Sequence, residues 1–196
     1  MQLDLLQEVK AATRDQHQRL EAILPLTTTS ITLETYKEVL KVFLGLFDSI
    51  EKALMESELP AEVEFAQRKR SHLLERDLRY VGLSEREISE IPRSSEMSRL
   101  NGTAWSLGVL YVLEGSRFGG QYLAKSLHER LGLTKEEGCS FFSSDGFEVG
   151  AMWNKFCQVA RNTITAPTDR QEFMEGAKST FTSFEKWVAS RNVPIS

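Results

Sequence analysis

Cysteine, histidine and proline are all scarce in this chain. Two cysteines, Cys139 and Cys157, stand among 196 residues. Their spacing fits no metal-binding pattern; they could pair, but two cysteines in a chain this size are more often free. Free thiols in a reducing cytoplasm are the expectation. None of the five prolines interrupts a long periodic segment. No stretch of useful length alternates apolar and polar residues, and no Asn-Gly or Asp-Gly turn joins two strand-like runs, so sheet architectures drop out. No apolar run reaches the roughly 18 residues that span a bilayer. The first residues carry acids where a signal peptide would be apolar, so neither a leader nor a membrane anchor is expected. Positive charge is not in excess either. The net charge is -4, which argues against bulk binding to nucleic acid or to an anionic membrane.

What is present is helical periodicity. From Leu3 to Leu24, Leu6, Val9, Thr13, His17, Leu20 and Leu24 recur at steps of three and four. Pro25 and the Thr27–Ser30 run close that helix. Leu33 to Ser57 has the clearest stripe, with Tyr36, Leu40, Phe43, Phe47, Ile50 and Leu54, and Thr32 as its N-cap. A charged helix is expected from Ala61 to Val81, closed by Gly82. Ser84 with Glu87 forms a capping box for a short helix. Ser94 or Ser95 is expected to cap a long helix reaching Arg130, with Gly132 ending it. Thr134 and Glu137 suggest a single turn, and residues 141–146 a loop. A helix follows over Phe147–Ile164, then one capped by Thr168 and Gln171. The expectation is an all-α fold of about seven helices, in one domain over residues 1–196.

The long helix is unusual. Gly108, Gly115, Gly119 and Gly120 lie within thirteen of its residues, and each interior glycine costs a helix about 1 kcal/mol relative to alanine. Gly115 and Gly119 are one turn apart, as are Ser116 and Gly120, so the four make a patch almost without side chains. Something flat must lie against it. A second helix packed through small residues is one candidate, and a planar ligand is the other.

Of the three histidines, His72 and His128 sit in charged surroundings. His17 falls on an apolar stripe. A lone histidine there is more often a hydrogen-bonded core residue than a ligand. Glu21 one turn ahead and Thr13 one turn behind are positioned to orient its ring, as a metal-bound imidazole requires. Lys10, two turns back, is either a solvated charge or a partner for a ligand carboxylate. A macrocycle with a central metal, one axial histidine and an open opposite face would use both helices, which suggests heme chemistry with dioxygen.

Three stretches carry a resemblance. Ala12-Thr13-Arg14-Asp15-Gln16-His17-Gln18-Arg19-Leu20-Glu21 resembles the proximal-helix motif of heme oxygenases. Tyr111-Val112-Leu113-Glu114-Gly115-Ser116-Arg117-Phe118-Gly119-Gly120-Gln121 resembles their kinked distal helix, and Glu175–Phe181 a segment of their last helix. The resemblance implies a heme-oxygenase-like fold with heme b, as substrate and cofactor, between the first helix and the glycine helix. His17 would be the iron ligand with Glu21 near it, and Gly115 and Gly119 would leave room for bound dioxygen. Gly120 would line the same face, and Phe181 would wall the pocket. Lys10, Lys155 and Arg161 would meet propionates. Electrons would come from an external ferredoxin or flavoprotein, and biliverdin, iron and carbon monoxide would leave. Many members carry Asp where this chain has Ser116, and the Glu-Gly-Ser form is closer to bacterial members, so Ser116 would be a catalytic position of altered chemistry. Two rival readings remain: a heme carrier or sensor that does not cleave its ligand, and a thiaminase-like hydrolase with Cys157 as nucleophile.

Overall fold

The computed structural model describes residues 4–24, 26, 30–97, 100–143 and 146–191. The described residues form seven α-helices and no strand: α1 (Leu5–Ile23), α2 (Leu33–Glu56), α3 (Ser71–Tyr80), α4 (Glu85–Glu90), α5 (Gly102–Leu131), α6 (Gly146–Thr163) and α7 (Pro167–Ala189). The expected closure of α1 at Pro25 and Thr27–Thr29 falls outside the described residues. No helix among those described is long and apolar enough to cross a membrane.

The α2 stripe is the centre of the core. Tyr36, Leu40, Phe47, Ile50 and Leu54 are all essentially inaccessible. Thr32 caps the helix by accepting the Thr35 N–H at 3.1 Å. Phe43 and Phe47 meet Phe141 and Phe184 edge to face, with centroids 4.9 to 6.2 Å apart. Residues 141–143 lie outside any helix, as expected of a loop, yet Phe141 and Phe142 are buried. The reason is Asp77 of α3. Its carboxylate accepts the Ser140 N–H at 2.8 Å, the Ser140 hydroxyl at 2.7 Å and the Phe141 N–H at 2.9 Å, which turns both rings inward.

Helices α1 and α5 both pack along α7 and touch each other marginally at most. At the α5–α7 crossing the backbones nearly meet. A Cβ on Gly108 would lie 2.1 Å from the Phe173 carbonyl oxygen, and one on Gly176 would lie 2.3 Å from that of Trp105. Only glycine permits that approach.

Three local expectations are corrected. Residues 61–81 are not one helix. Two short 3-10 turns, Ala61–Val63 and Phe65–Arg68, come first, and Glu64 between them adopts φ 51° in the left-handed region. The α-helix begins only at Ser71, where the Glu51 carboxylate accepts the Arg70 N–H at 2.6 Å and the Ser71 N–H at 3.1 Å. Helix α5 starts after Asn101 without a side-chain cap, and Ser94 instead donates its N–H to Gly45. Helix α7 starts at Pro167, where Asp169 rather than Thr168 or Gln171 accepts the leading Ala166 N–H at 3.4 Å. The Ser84–Glu87 capping box and the glycine terminators Gly82 and Gly132 are as expected.

Candidate functional site

The glycine patch of α5 divides in two. Gly120 is buried, and a Cβ there would lie 2.9 Å from the Phe142 carbonyl oxygen, so its lack of a side chain serves packing. Gly108 serves packing too. Gly115 and Gly119 differ: a Cβ on either would meet nothing within 4 Å. They continue the helical stripe that begins at Gly108, but beyond the crossing no neighbouring helix covers it. Close backbone packing, on α7 at Gly108 and on the turn at Phe142 at Gly120, thus accounts for two of the four glycines and leaves open space among the described residues at the others. Aromatic rings border that strip. Phe118 meets Trp153 edge to face at 5.6 Å, and Tyr111 lies 5.7 Å from Trp153. Tyr122 is largely exposed. The spacing of Tyr111, Phe118 and Tyr122 around Gly115 and Gly119 was the available signal for this border, since all fall on one face of α5.

The other half of the site is α1. His17 is 57% exposed at its side chain, and its Nδ1 lies 3.5 Å from Glu21 Oε2. Glu21 can therefore hold the Nδ1 proton and leave Nε2 free as a donor to a metal. Thr13 takes no part, because its hydroxyl donates to the Val9 carbonyl at 2.8 Å. The Phe181 ring stands edge to face against the imidazole at 5.8 Å. No cluster of three or more His, Cys, Asp or Glu gathers among the described residues. A metal at His17 would need its remaining ligands from a macrocycle, and an exposed imidazole plus an uncovered glycine strip suit that requirement.

The cations lie differently. Lys10 is exposed and has no ion pair among the described residues. Lys155 donates to Glu64 at 2.6 Å. Arg161 holds Asp4 through two bonds of 3.0 Å, which ties α6 to the start of α1. Both would have to exchange these partners to meet a ligand carboxylate. Cys157 is a buried free thiol whose pKa is raised by burial, the opposite of what a nucleophile needs.

Behind the glycine strip lies a charged network that sequence reasoning missed. Arg68 donates to Glu114 at 2.8 Å, and Arg117 donates to the other Glu114 oxygen at 3.3 Å. Arg68 also donates to the Val63 carbonyl and to the Met152 carbonyl, and Arg117 to the Arg68 carbonyl. All three side chains are buried. Arg70, equally buried, donates through Nη2 to the Leu113 carbonyl at 2.9 Å and to Ser116 Oγ at 2.8 Å. Ser116 Oγ in turn donates to the Leu113 carbonyl at 2.7 Å. Leu113 can only accept and Arg70 can only donate, so the serine hydroxyl proton is committed inward. One lone pair of Ser116 remains outward, and the residue is exposed. Charged residues between Lys69 and Arg76 read as a solvated face in sequence, which hid Arg70.

Comparisons with known proteins bear on the family and the fold. The heme oxygenase family model matches residues 3–190. A heme oxygenase of Xanthomonas campestris pv. campestris (strain 8004) is 31% identical over 127 residues, which are 65% of this chain and 72% of that protein. The NO- and CO-bound heme oxygenase of Neisseria meningitidis superposes with a TM-score of 0.78 at 19% identity, covering 97% of this chain and 92% of that one. The heme complex of heme oxygenase-1 from Synechocystis sp. PCC6803 gives 0.75 at 16% identity, covering 97% and 93%. At those identities the structures establish the fold, and the family match over nearly the whole length establishes membership: the chain belongs to the heme oxygenase family.

Proposed function

We propose that this chain binds heme between His17 of α1 and the Gly115–Gly119 strip of α5, and oxidatively opens it to biliverdin with loss of iron and carbon monoxide. Dioxygen is the co-substrate, and an external ferredoxin- or flavoprotein-type donor supplies electrons. The observation that carries this reading is the division of the glycines. Gly108 and Gly120 press on backbone, whereas Gly115 and Gly119 leave open space, and α1, which packs along the same α7, carries an exposed histidine oriented by a carboxylate.

When bound, the heme supplies the redox chemistry and the reactive ring. The protein's contribution is positional. His17 would offer Nε2 to the heme iron while Glu21 holds Nδ1. Gly115 and Gly119 present backbone without side chains and would leave room there for a small ligand. Ser116 accepts a hydrogen bond from a distal water and does not donate to it, because its proton is held by Leu113. That water keeps its second proton for the site. Phe181 closes one side of the imidazole. Lys10 is the cation free to meet a propionate without losing a partner.

Aerobic incubation of the hemin complex with ferredoxin and its reductase, followed by chromatography, tests the proposal. The expected result is a green biliverdin product. A hemin complex whose spectrum persists under those conditions would favour the carrier reading, for which the inward-held Ser116 proton is the motive. Failure to bind hemin would remove both.

A further inference from the structure

The buried charges behind the glycine strip do not balance. Arg68 and Arg117 share Glu114. Glu51 spends its carboxylate on the first N–H groups of α3. Arg70 is therefore left over. Among the described residues no carboxylate is in ion-pair contact with its guanidinium, which is held by two neutral oxygens and by the faces of Phe47 and Phe141 at 5.2 and 4.7 Å. Burial, with the neighbouring charge of Arg117, lowers its pKa to about 9, and the group stays cationic at neutral pH. A buried charge is poorly screened, so its field reaches the nearest solvent. That solvent is at Ser116, the exposed residue on which Nη2 ends, directly beside Gly115.

We infer that Arg70 is a positioning residue that gives the Gly115–Gly119 face a positive field, so that this face prefers small anionic ligands to neutral ones. The inference rests on heme occupying the site. Two roles of Arg70 can be separated. It fixes Ser116 as an acceptor, and it supplies charge. The charge is the part that discriminates, because a water held by Ser116 serves neutral and anionic ligands alike. The field acts on any anionic oxygen or nitrogen ligand opposite His17, whatever the electron donor.

The test uses the full chain loaded with hemin. Azide affinity is measured on the ferric complex and carbon monoxide affinity on the ferrous one, for wild type, Arg70→Met, Arg70→Lys and Ser116→Ala. A single charge at this range in a partly buried site is expected to change azide affinity by about tenfold in Arg70→Met, with carbon monoxide affinity within about twofold. Arg70→Lys should stay within about threefold of wild type, because the charge remains. Ser116→Ala should change azide and carbon monoxide affinity alike, and by less than Arg70→Met changes azide affinity, since the water that Ser116 holds serves both ligands and the cation is intact. Wild-type azide affinity in Arg70→Met would overturn the inference. So would a loss in Ser116→Ala as large as that in Arg70→Met, which would assign the effect to the hydroxyl. Should Arg70→Met fail to fold, Arg70→Gln, which removes the charge but keeps an N–H donor, takes its place with the same expected loss of azide affinity. A wild-type chain that takes up no hemin sinks the functional reading itself, which is a different outcome from a hemin complex indifferent to Arg70.

Discussion

Helices α1 and α5 carry the two halves of the site and are secured in opposite ways. In α1 only Leu5, Val9 and Thr13 are buried, all in its first half. From Arg14 to Ile23 the helix has no fully buried residue: Leu20 and Ile23 rest half-buried on the core, and the contacts to α7 are largely polar. Gln16 donates to the Lys178 carbonyl and the Thr182 hydroxyl, and Arg19 pairs with Glu185. Helix α5 buries a run of apolar side chains and then fixes Glu114, Ser116 and Arg117, the residues flanking Gly115, into an internal network. Exposed ion pairs hold weakly, typically under about 1 kcal/mol each. Buried networks cost several kcal/mol when one partner is lost. The His17 half should therefore tolerate substitution without loss of fold, and the Gly115–Gly119 half should not.

The largest effect that would sharpen this contrast is at Glu114. Replacing it by Ala leaves Arg68 and Arg117 buried without an anion, and the unfolding free energy should fall by about 3–5 kcal/mol in urea titration of the heme-free chain. A change below about 1 kcal/mol would mean that the network does not hold α5. Next comes a matched pair of glycines. Gly108→Ala must push apart two backbones, and a loss of about 1–3 kcal/mol is expected. Gly119→Ala meets nothing within 4 Å and removes an unfavourable helical glycine, so it should be neutral or stabilising by up to about 1 kcal/mol. Equal losses at the two positions would show that the strip at Gly119 is covered after all.

Periodicity alone gave the helices whose stripes face the core, because the 3.6-residue repeat of α2, α6 and α7 is what burial demands of them. It failed between Ala61 and Arg70 for a physical reason. That segment is held by arginines turned inward onto carbonyls and Glu114, an interaction set by partners more than forty residues away. His17 and the four glycines were legible as a site because both break local rules, one by polarity on an apolar stripe and the other by propensity. The division of the glycines into packing and open positions was not legible. It depends on where α7 and residue 142 lie, which spacing does not encode. Arg70 was hidden for the same reason, since its neighbours in sequence are charged and its neighbours in space are Phe47 and Phe141.

His17 gives the next smaller effect on folding. The side chain is more than half exposed and its contacts are Glu21 and the edge of Phe181. His17→Ala should leave the urea midpoint of the heme-free chain within about 0.5 kcal/mol of wild type. The hemin complex should lose its axial-histidine spectrum and its turnover. A large loss of stability would make His17 a structural residue of α1 and break the comparison from the other side.

The smallest effect concerns the tether at the start of α1, and pH gives it a sign. The Arg161 side chain, through its hydrogen bonds to Asp4, holds the Asp4 carboxyl below its ordinary value. A folded-state pKa below the unfolded one means that the unfolded chain binds the proton more readily as pH falls. The pair therefore contributes fully above the unfolded carboxylate pKa of about 4 and loses its contribution as pH drops through the lowered folded value. Both side chains are more than a third exposed, so screening keeps the contribution under about 1 kcal/mol. Asp4→Asn should lower the urea midpoint slightly at pH 7, and the gap to wild type should narrow as pH falls below about 4 and close once pH is below the lowered folded value. The gap should also shrink in high salt. A gap that does not narrow at all as pH falls below about 4 would assign the role of Asp4 to uncharged contacts at the start of α1, beside the buried Leu5 and Val9.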